Sequence, residues 1–197
     1  MDAREIIRFQ LRGSFSLLLE RLRDVGDDEW NRRPVDDASR IGFVLWHCAR
    51  TVDWAVNLVA ARRGEVAGES HWRGRLGAEE GLFGAAIPHD VADAIPSRVS
   101  RKTVLAYVTD VQGPALQWLE SVSPADLERV TDLMADDQSK PEYRIGEVWE
   151  EIEDLSGIPL WQFVSRPSVT HVRFHLGQLD SLLDTLRVPT TSSRPAD

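Results

Sequence analysis

Cysteine and long apolar runs are the features that this sequence lacks most clearly. The chain has one cysteine, Cys48, among 197 residues, and a single thiol excludes a disulfide within the chain. No apolar run approaches the roughly 20 residues that a membrane-spanning helix needs. Residues 1–5 contain no basic stretch that leads into an apolar one, so we expect no signal peptide. These absences predict a cytoplasmic protein that does not act at a membrane.

Lysine is also scarce, and the 32 acidic residues outnumber the 23 basic ones. The net charge at pH 7 is −9, and Lys102 and Lys140 are the only lysines among 23 basic residues. Binding to nucleic acid needs a basic stripe that neutralises phosphates, and the sequence contains no such stripe. We therefore expect no nucleic-acid partner. The preference for arginine over lysine is typical of a GC-rich genome.

The chain is rich in apolar residues and in tryptophan. The hydrophobic fraction is 42%, with seven tryptophans, which is typical of a globular protein. This length is sufficient for one well-buried core and does not require two. We predict a single domain over residues 1–189 and a disordered tail over residues 190–197.

Apolar residues recur at three- and four-residue steps along four stretches, which predicts four long amphipathic helices. They run from Ala3 to Val25, from a helix cap at Asp37 or Ser39 to about Arg63, from about Arg101 to Ser121 and from about Pro167 to Arg187. In the third helix, Pro114 should kink or break the chain because proline removes a backbone donor. In the fourth helix, Phe174 is expected among the buried residues. The pattern predicts an all-α fold, a four-helix bundle with long connections.

Two long connections join these helices. Residues 65–100 are rich in glycine, but structureless loops of that length are unusual in compact domains, so we expect this connection to pack on the bundle. The apolar residues available for that packing are Trp72, Leu76, Leu82 and Phe83. His71 and His89 fall in the same connection and are expected at the surface. In the second connection, the pattern from Ile145 to Leu155 suits a short helix, while residues 143–149 also suit a strand.

Three of the five histidines have a spacing that is typical of a metal site. His171 and His175 are four residues apart, so on an α-helix they lie one turn apart on the same face. His47 lies on the inner arc of the second predicted helix. If the second and fourth helices are neighbours, the three rings can bind one metal ion and leave coordination positions free for water or substrate. The sequence therefore predicts an open metal centre.

Several residues near these histidines have a plainer interpretation. We interpret Cys48 as a small core residue and not as a nucleophile, because it lies in the apolar stripe of its helix. Arg50 either binds a substrate carboxylate or pairs with Asp53 at the bundle surface. Trp54 either lines a pocket or packs in the core. The acidic run Glu147–Asp154 is interpreted as a solvated helix face.

Three stretches of the sequence are similar to a known family. They are Leu45–Arg50 with Asp53 and Trp54, then His171–Leu179, which is similar to an HxxxHxGQ signature, and more weakly His71–Arg75 with Phe83 and Gly84. In these residues the chain resembles the DinB-like (DinB/YfiT) superfamily of metal-binding four-helix bundles, which includes bacterial thiol-dependent transferases. The third stretch resembles actinobacterial members of that superfamily.

The resemblance implies a divalent metal ion bound by His47, His171 and His175, with nickel or zinc as the common occupants. It also implies a DinB/YfiT-like bundle over nearly the whole chain. Residues 132–160 are longer than the resemblance leads one to expect. We expect this segment to reshape or cover the pocket.

Functions from three classes fit this pattern. The first is a transferase or isomerase in which the metal activates a low-molecular-weight thiol such as mycothiol or bacillithiol, and the arginine-rich composition favours mycothiol. The second is a hydrolase in which the metal activates water. The third is a non-catalytic metal-binding or stress-response protein. A fourth protein ligand would favour the third class, whereas an open position facing a pocket would favour the first two.

The enzyme hypothesis also predicts where the substrate lies. Helix one and residues 64–100 should supply the pocket walls. Arg50 and Trp54 are the nearest candidates to contact the thiol cofactor or substrate. The expected partner is a small molecule, and a second copy of the chain is a candidate partner in a homodimer.

Overall fold

The chain folds into long helical rods joined by shorter helices. The computed structural model describes residues 2–36, 38–77, 83–135 and 146–188. The helices are α1 (Ala3–Arg21), α2 (Asp27–Asn31), α3 (Ile41–Val52), α4 (His89–Arg98), α5 (Arg101–Ser121), α6 (Pro124–Leu127), α7 (Gly146–Ile152), α8 (Leu160–Ser165) and α9 (His171–Arg187). The described part also contains π-helical segments at Asp53–Ala60 and Arg166–Thr170 and 3₁₀ segments at Val66–Gly68 and Glu153–Leu155. The predicted tail, residues 190–197, lies outside the described residues.

Four rods form the bundle. They are α1, α3 with the π segment that follows it, α5, and α8–α9 with the π segment between them. Both α1 and α3 pack against α5 and against α9, so α1 and α3 occupy opposite corners of the bundle. The predicted all-α four-helix bundle is confirmed. None of the described helices is long and apolar enough to cross a lipid bilayer.

The first rod begins with a capping box. The Asp2 carboxylate accepts from the Glu5 N–H at 3.1 Å, and the Glu5 carboxylate accepts from the Asp2 N–H at 3.1 Å, which satisfies two of the free donors at a helix start. The apolar stripe of this helix is buried and includes Ile7, Leu11, Phe15 and Leu18. Burial of this stripe against α5 and α9 holds the rod in the bundle.

The second rod is buried around nearly its whole circumference. Every residue of α3 except Phe43 is buried. The helix starts at Ile41 without a side-chain cap among the described residues, so the predicted cap by Ser39 is wrong. The Ser39 hydroxyl instead faces Gln178 Nε2 at 3.5 Å. Asp37, the other predicted cap, lies outside the described residues.

Two rods end earlier than the apolar pattern predicts. The first ends at Arg21 and not at Val25, because the chain turns there and brings Val25 into the core as part of a loop. The second ends at Ala60 and not at Arg63. Arg62 adopts a left-handed backbone with φ of 53°, a conformation that stops a right-handed helix.

The third rod runs without interruption from Arg101 to Ser121. The Ser100 hydroxyl caps it by accepting from the Thr103 N–H at 3.2 Å. Of the kink or break predicted at Pro114, the break is wrong, and the kink stays a prediction. Val111 and Ala115 on either side of this proline are fully buried, so core packing maintains the helix across the missing donor.

The fourth rod starts earlier than predicted, at Leu160 and not at Pro167. Pro167 lies inside the π segment, where the His171 N–H donates a hydrogen bond to the Arg166 carbonyl. The wider π turn accommodates a residue that cannot donate a backbone hydrogen bond. The prediction that Phe174 is buried is wrong, since its side chain is 71% exposed. Its ring lies edge-on to the His175 ring, with centroids 5.4 Å apart, and does not join the buried leucines of α9.

The first connection packs on the bundle, as predicted. Trp72, Leu76 and Phe83 are buried, whereas Leu82 lies outside the described residues. This connection contains the helix α4, which the sequence pattern did not predict. His71 and His89 are exposed, as expected.

The second connection is helical where the structure describes it. Residues 146–152 form α7, which favours the helix over the alternative strand, although residues 143–145 lie outside the described residues. An isolated β-bridge joins Val130 to Pro159, and the Thr131 hydroxyl donates to the Leu155 carbonyl at 3.0 Å. These bonds hold the ends of the connection together beside the fourth rod.

Candidate metal centre

Three histidine rings converge where the second and fourth rods touch. His47 comes from α3, while His171 and His175 come from α9, the helix that packs against it. The His171 Nε2 atom lies 2.9 Å from His47 Nε2 and 3.0 Å from His175 Nε2. The prediction that the i, i+4 pair on one helix meets a third ring from a neighbouring helix is confirmed as geometry. These three residues form a group that could hold a metal ion.

Two of the rings are oriented by hydrogen bonds on the far side from the meeting point. His47 Nδ1 lies 2.7 Å from the Phe83 carbonyl, and His175 Nδ1 lies 2.7 Å from Gln178 Oε1. Both partners accept, so we assign the proton of each neutral ring to Nδ1. Their Nε2 atoms then present lone pairs toward one another. This is the arrangement by which proteins fix the tautomer of metal-binding histidines.

A metal ion explains this arrangement better than hydrogen bonding does. His171 Nε2 carries at most one proton, so it cannot donate a good hydrogen bond to both neighbouring nitrogens at once. With the His171 proton on Nδ1 instead, three lone pairs converge and repel one another unless a cation lies between them. Tetrahedral coordination with bonds of about 2.0–2.1 Å places ligand nitrogens about 3.3 Å apart, so the rings need to separate by only a few tenths of an ångström.

The environment keeps these rings neutral. Burial, together with the neighbouring His175 ring, lowers the pKa of His47 to about 4. Burial together with the His47 and His175 rings lowers the pKa of His171 to about 2, and burial lowers the pKa of His175. Metal binding requires deprotonated imidazole. All three rings are therefore ready to bind a cation at neutral pH.

A cavity of about 380 Å³ opens beside His47 and His171. Its walls are mainly apolar and include Trp54, Phe83, Ala85, Ile152, Leu155, Pro167 and Phe174. The Trp54 and Phe83 rings stack with centroids 4.6 Å apart and planes inclined by 5°. Polar groups lie among them: Thr51, Glu151, Asp154, Arg166 and Thr170. The size and lining are typical of a site for a small molecule.

The cavity walls differ in part from those predicted. Residues 64–100 contribute Phe83 and Ala85, as expected, but no described residue of α1 lines the cavity. The π segment 166–170 lines it instead, through Arg166, Pro167 and Thr170. The expectation that residues 132–160 cover the pocket agrees with their position. The acidic side chains of the run are solvent-exposed, as predicted, and two of them, Glu151 and Asp154, also line the cavity.

The structure places the two predicted substrate-contacting residues, Arg50 and Trp54, in different environments. Trp54 lies in the cavity wall, and its contact with a thiol or substrate stays a prediction. Arg50 is only 2% exposed and does not belong to the described cavity lining. It donates to Asp53 at 3.2 Å and to Glu65 at 3.1 Å. The predicted pair with Asp53 is therefore present, but it lies in the core and not at the surface.

Cys48 has the environment expected of a core residue. Its side chain is fully buried, and burial raises the pKa of the Cys48 thiol. A thiol in these surroundings is a poor source of thiolate. The interpretation of Cys48 as packing and not as a nucleophile is supported.

Sequence reasoning missed two contributors to the site. The Phe83 carbonyl orients His47, but a backbone carbonyl cannot be recognised from the sequence. The adjacent Gly84 is the one residue that could have indicated a close backbone approach. A Cβ on Gly84 would lie 2.4 Å from His47 Nδ1, and its φ is 101°, so this position requires glycine. Glu151 was missed because a carboxylate in an acidic run carries no local sign that it faces a cavity.

The fold and site define an all-α bundle with three converging histidines beside a cavity of about 380 Å³. A model of the DinB superfamily matches residues 10–146, and the chain belongs to that superfamily. The matched residues include His47 and end before His171 and His175. A solved crystal structure of a conserved protein from Enterococcus faecalis has the same fold, with a TM-score of 0.69, 14% identity, and coverage of 94% of this chain and 97% of that one. Among curated proteins, none matches the sequence.

Proposed function

We propose that this protein is a metal-dependent transferase that joins a low-molecular-weight thiol to an electrophile. His47, His171 and His175 bind a divalent ion, nickel or zinc. One observation carries the proposal: three neutral imidazole nitrogens converge at the wall of a cavity of about 380 Å³. A purely structural metal site is normally closed by four protein ligands. The described residues supply three, and the cavity gives a small molecule access to the remaining position.

The metal supplies the chemistry that the side chains lack. When bound, a divalent ion lowers the pKa of a coordinated thiol and so provides thiolate at neutral pH. In the transfer, the sulfur forms a bond to the electrophilic carbon, the leaving group departs with the electron pair, and the thiol proton goes to water. Cys48 cannot take this part because it is fully buried.

The apolar walls indicate the kind of electrophile. The stacked Trp54 and Phe83 rings and the exposed Phe174 ring offer planar apolar surface beside the histidines. Burying an apolar group of the substrate against them contributes roughly 25 cal/mol per Å² of area removed from water. Mycothiol or bacillithiol would supply the sulfur, and an apolar electrophile would occupy the aromatic wall.

The test is conjugation by the full-length, metal-loaded protein. Zinc- and nickel-loaded samples are mixed with 1-chloro-2,4-dinitrobenzene and, in turn, mycothiol, bacillithiol or glutathione. We expect a rate above the uncatalysed one with at least one thiol, loss of that rate in His47→Ala, and its retention in the control His71→Ala, since His71 is exposed and outside the centre. Equal rates for wild type, His47→Ala and buffer with every thiol would contradict the transferase.

A hydrolase is the second candidate, and one observation favours it. Glu151 and Asp154 line the same cavity as the histidines, and a carboxylate there can act as a general base toward water. A panel of esters and amides without thiol tests this function. Turnover that is lost in Glu151→Gln with metal still bound would support the hydrolase. Bound metal without turnover in either panel would support the third class, a non-catalytic metal-binding protein.

A further inference from the structure

A single side chain of the acidic run reaches the backbone beside the metal centre. Glu151 lies near the end of α7, and its Oε1 accepts from the Ala86 N–H at 3.0 Å. The two residues are 65 positions apart in the chain. This bond joins the second connection to the first one across the mouth of the cavity, which both Glu151 and Ala85 line.

Residues 83–86, which we call the 83–86 turn, connect that bond to a metal ligand. At one end of the turn, the Phe83 carbonyl accepts from His47 Nδ1 at 2.7 Å. At the other end, the Ala86 N–H donates to Glu151. Between them Gly84 passes so close to His47 that a Cβ would lie 2.4 Å from Nδ1. A small shift of the turn would therefore change the orientation of the His47 ring.

The backbone of the turn is held in a conformation that an isolated chain would avoid. Ala86 has φ of 48°, in the left-handed region that non-glycine residues enter at a cost. Such a conformation persists where surrounding contacts impose it. The hydrogen bond from the Ala86 N–H to Glu151 is such a contact, and the stacking of Phe83 on Trp54 anchors the other end.

We propose that Glu151 is a positioning residue for the metal centre, acting through the 83–86 turn on the ring of His47. This inference rests on metal binding by the proposed site. The carboxylate holds the turn against the cavity, the Phe83 carbonyl then holds His47 Nδ1, and His47 Nε2 stays aimed at the meeting point. What the turn requires of residue 151 is an acceptor oxygen at the right reach, and a negative charge is not needed.

Three variants test whether residue 151 must supply a hydrogen-bond acceptor. Glu151→Ala removes the acceptor, so the turn loses its outer anchor and His47 its orientation. Glu151→Gln keeps a carbonyl oxygen at nearly the same reach and should retain metal affinity. Glu150→Ala is the matched control, because Glu150 is the preceding exposed carboxylate and does not belong to the described cavity lining. Loss of a partner of a metal-binding histidine typically costs 10–100-fold in affinity, and we expect about 3–10-fold for this more remote contact.

Affinity of the full-length protein for Zn²⁺ is measured by competition with a chromophoric chelator, and the visible spectrum of the Co²⁺-loaded protein reports ligand geometry. We expect weaker Zn²⁺ binding and an altered Co²⁺ spectrum in Glu151→Ala alone. A Glu151→Ala variant with wild-type affinity and spectrum would overturn the inference, as would equal losses in Glu151→Ala and Glu151→Gln. If the wild type itself binds no metal, the proposed function fails first, so the two failures are distinguishable.

Discussion

At the scale of single residues, the centre depends on groups that hold the histidines as much as on the histidines themselves. His175 donates from Nδ1 to Gln178 Oε1 at 2.7 Å, one turn further along the same helix. Gln178 Nε2 in turn donates to the Ser39 hydroxyl at 3.5 Å, so the segment that precedes α3 helps to orient this amide. This chain of contacts sets which nitrogen of His175 is free for a metal.

Replacing Gln178 should therefore weaken metal binding without removing a ligand. In Gln178→Leu the His175 ring loses its acceptor, and we expect about 10–100-fold lower Zn²⁺ affinity. Gln178→Glu keeps an acceptor oxygen and serves as the control. Chelator competition measures both. Unchanged affinity in Gln178→Leu would show that the ring is oriented by packing alone.

Cys48 provides a second test at this scale. Because the thiol is fully buried and burial raises its pKa, we expect slow reaction with a thiol reagent in the native protein and fast reaction in urea. The time course of labelling gives both rates. Rapid labelling of the native protein, or loss of activity in a folded Cys48→Ser variant, would restore Cys48 as a candidate nucleophile.

At the scale of elements, a buried polar cluster joins the second rod to the first connection and to α5. The Asp53 carboxylate accepts from the Val66 N–H at 2.9 Å, the Ala67 N–H at 3.0 Å and the Tyr107 hydroxyl at 2.6 Å. Arg50 donates to the same carboxylate. The cluster fixes where the connection leaves the second rod. That connection later supplies the carbonyl that orients His47.

Breaking this cluster should destabilise the whole fold. Asp53→Ala leaves the Arg50 guanidinium with one carboxylate fewer and two buried backbone N–H groups without their acceptor, so we expect a loss of about 3–5 kcal/mol in the free energy of unfolding. Tyr107→Phe removes one donor and should cost less, about 1–2 kcal/mol. Urea unfolding in the presence of a chelator measures both. A loss for Asp53→Ala no larger than that for Tyr107→Phe would contradict the role assigned to Asp53.

At the scale of the whole molecule, the proposed metal binding should be linked to stability, because the three histidines come from two rods. If the folded protein binds the ion and the unfolded chain binds it less, adding metal stabilises the fold by mass action. We expect addition of EDTA to lower the melting temperature of the metal-loaded protein. The His175→Ala variant should lose this response. A chelator response that persists in His175→Ala would place the relevant metal elsewhere.

The same centre predicts a pH dependence of the metal-free protein. Burial lowers the pKa of His171 to about 2, whereas an unfolded histidine titrates near about 6.5. Below about pH 6.5, His171 is protonated in the unfolded chain but stays neutral in the folded protein. The free energy of unfolding is therefore highest above about pH 6.5 and falls as the pH decreases.

Urea unfolding in EDTA at pH 6.5 and pH 5.0 measures this effect. Wild type should lose about 1.5 kcal/mol more than His171→Gln between these two values. Comparison with the variant removes the contribution of carboxylates that titrate in both proteins. Equal losses would mean that the pKa of His171 in the folded protein is not lowered.

Much of the fold follows from local pattern. The four rods are readable because apolar residues recur with the helical period over long stretches, and the i, i+4 spacing puts His171 and His175 on one face whatever the rest of the chain does. Burial of Cys48 follows from its place in an apolar stripe. These properties depend on neighbours within a few positions, and the sequence contains them.

Tertiary structure alone decided which groups face the centre. The sequence could not show that α3 and α9 are neighbours, that Arg50 turns into the core, or that Glu151 reaches Ala86. Each of these depends on contacts between residues far apart in the chain, and a charged side chain looks the same in sequence whether it meets solvent or a buried partner. The period of a helix determined that His171 and His175 share one face. The packing of the rods determined that His47 meets them, that the Phe83 carbonyl orients His47, and that a cavity opens beside the three rings.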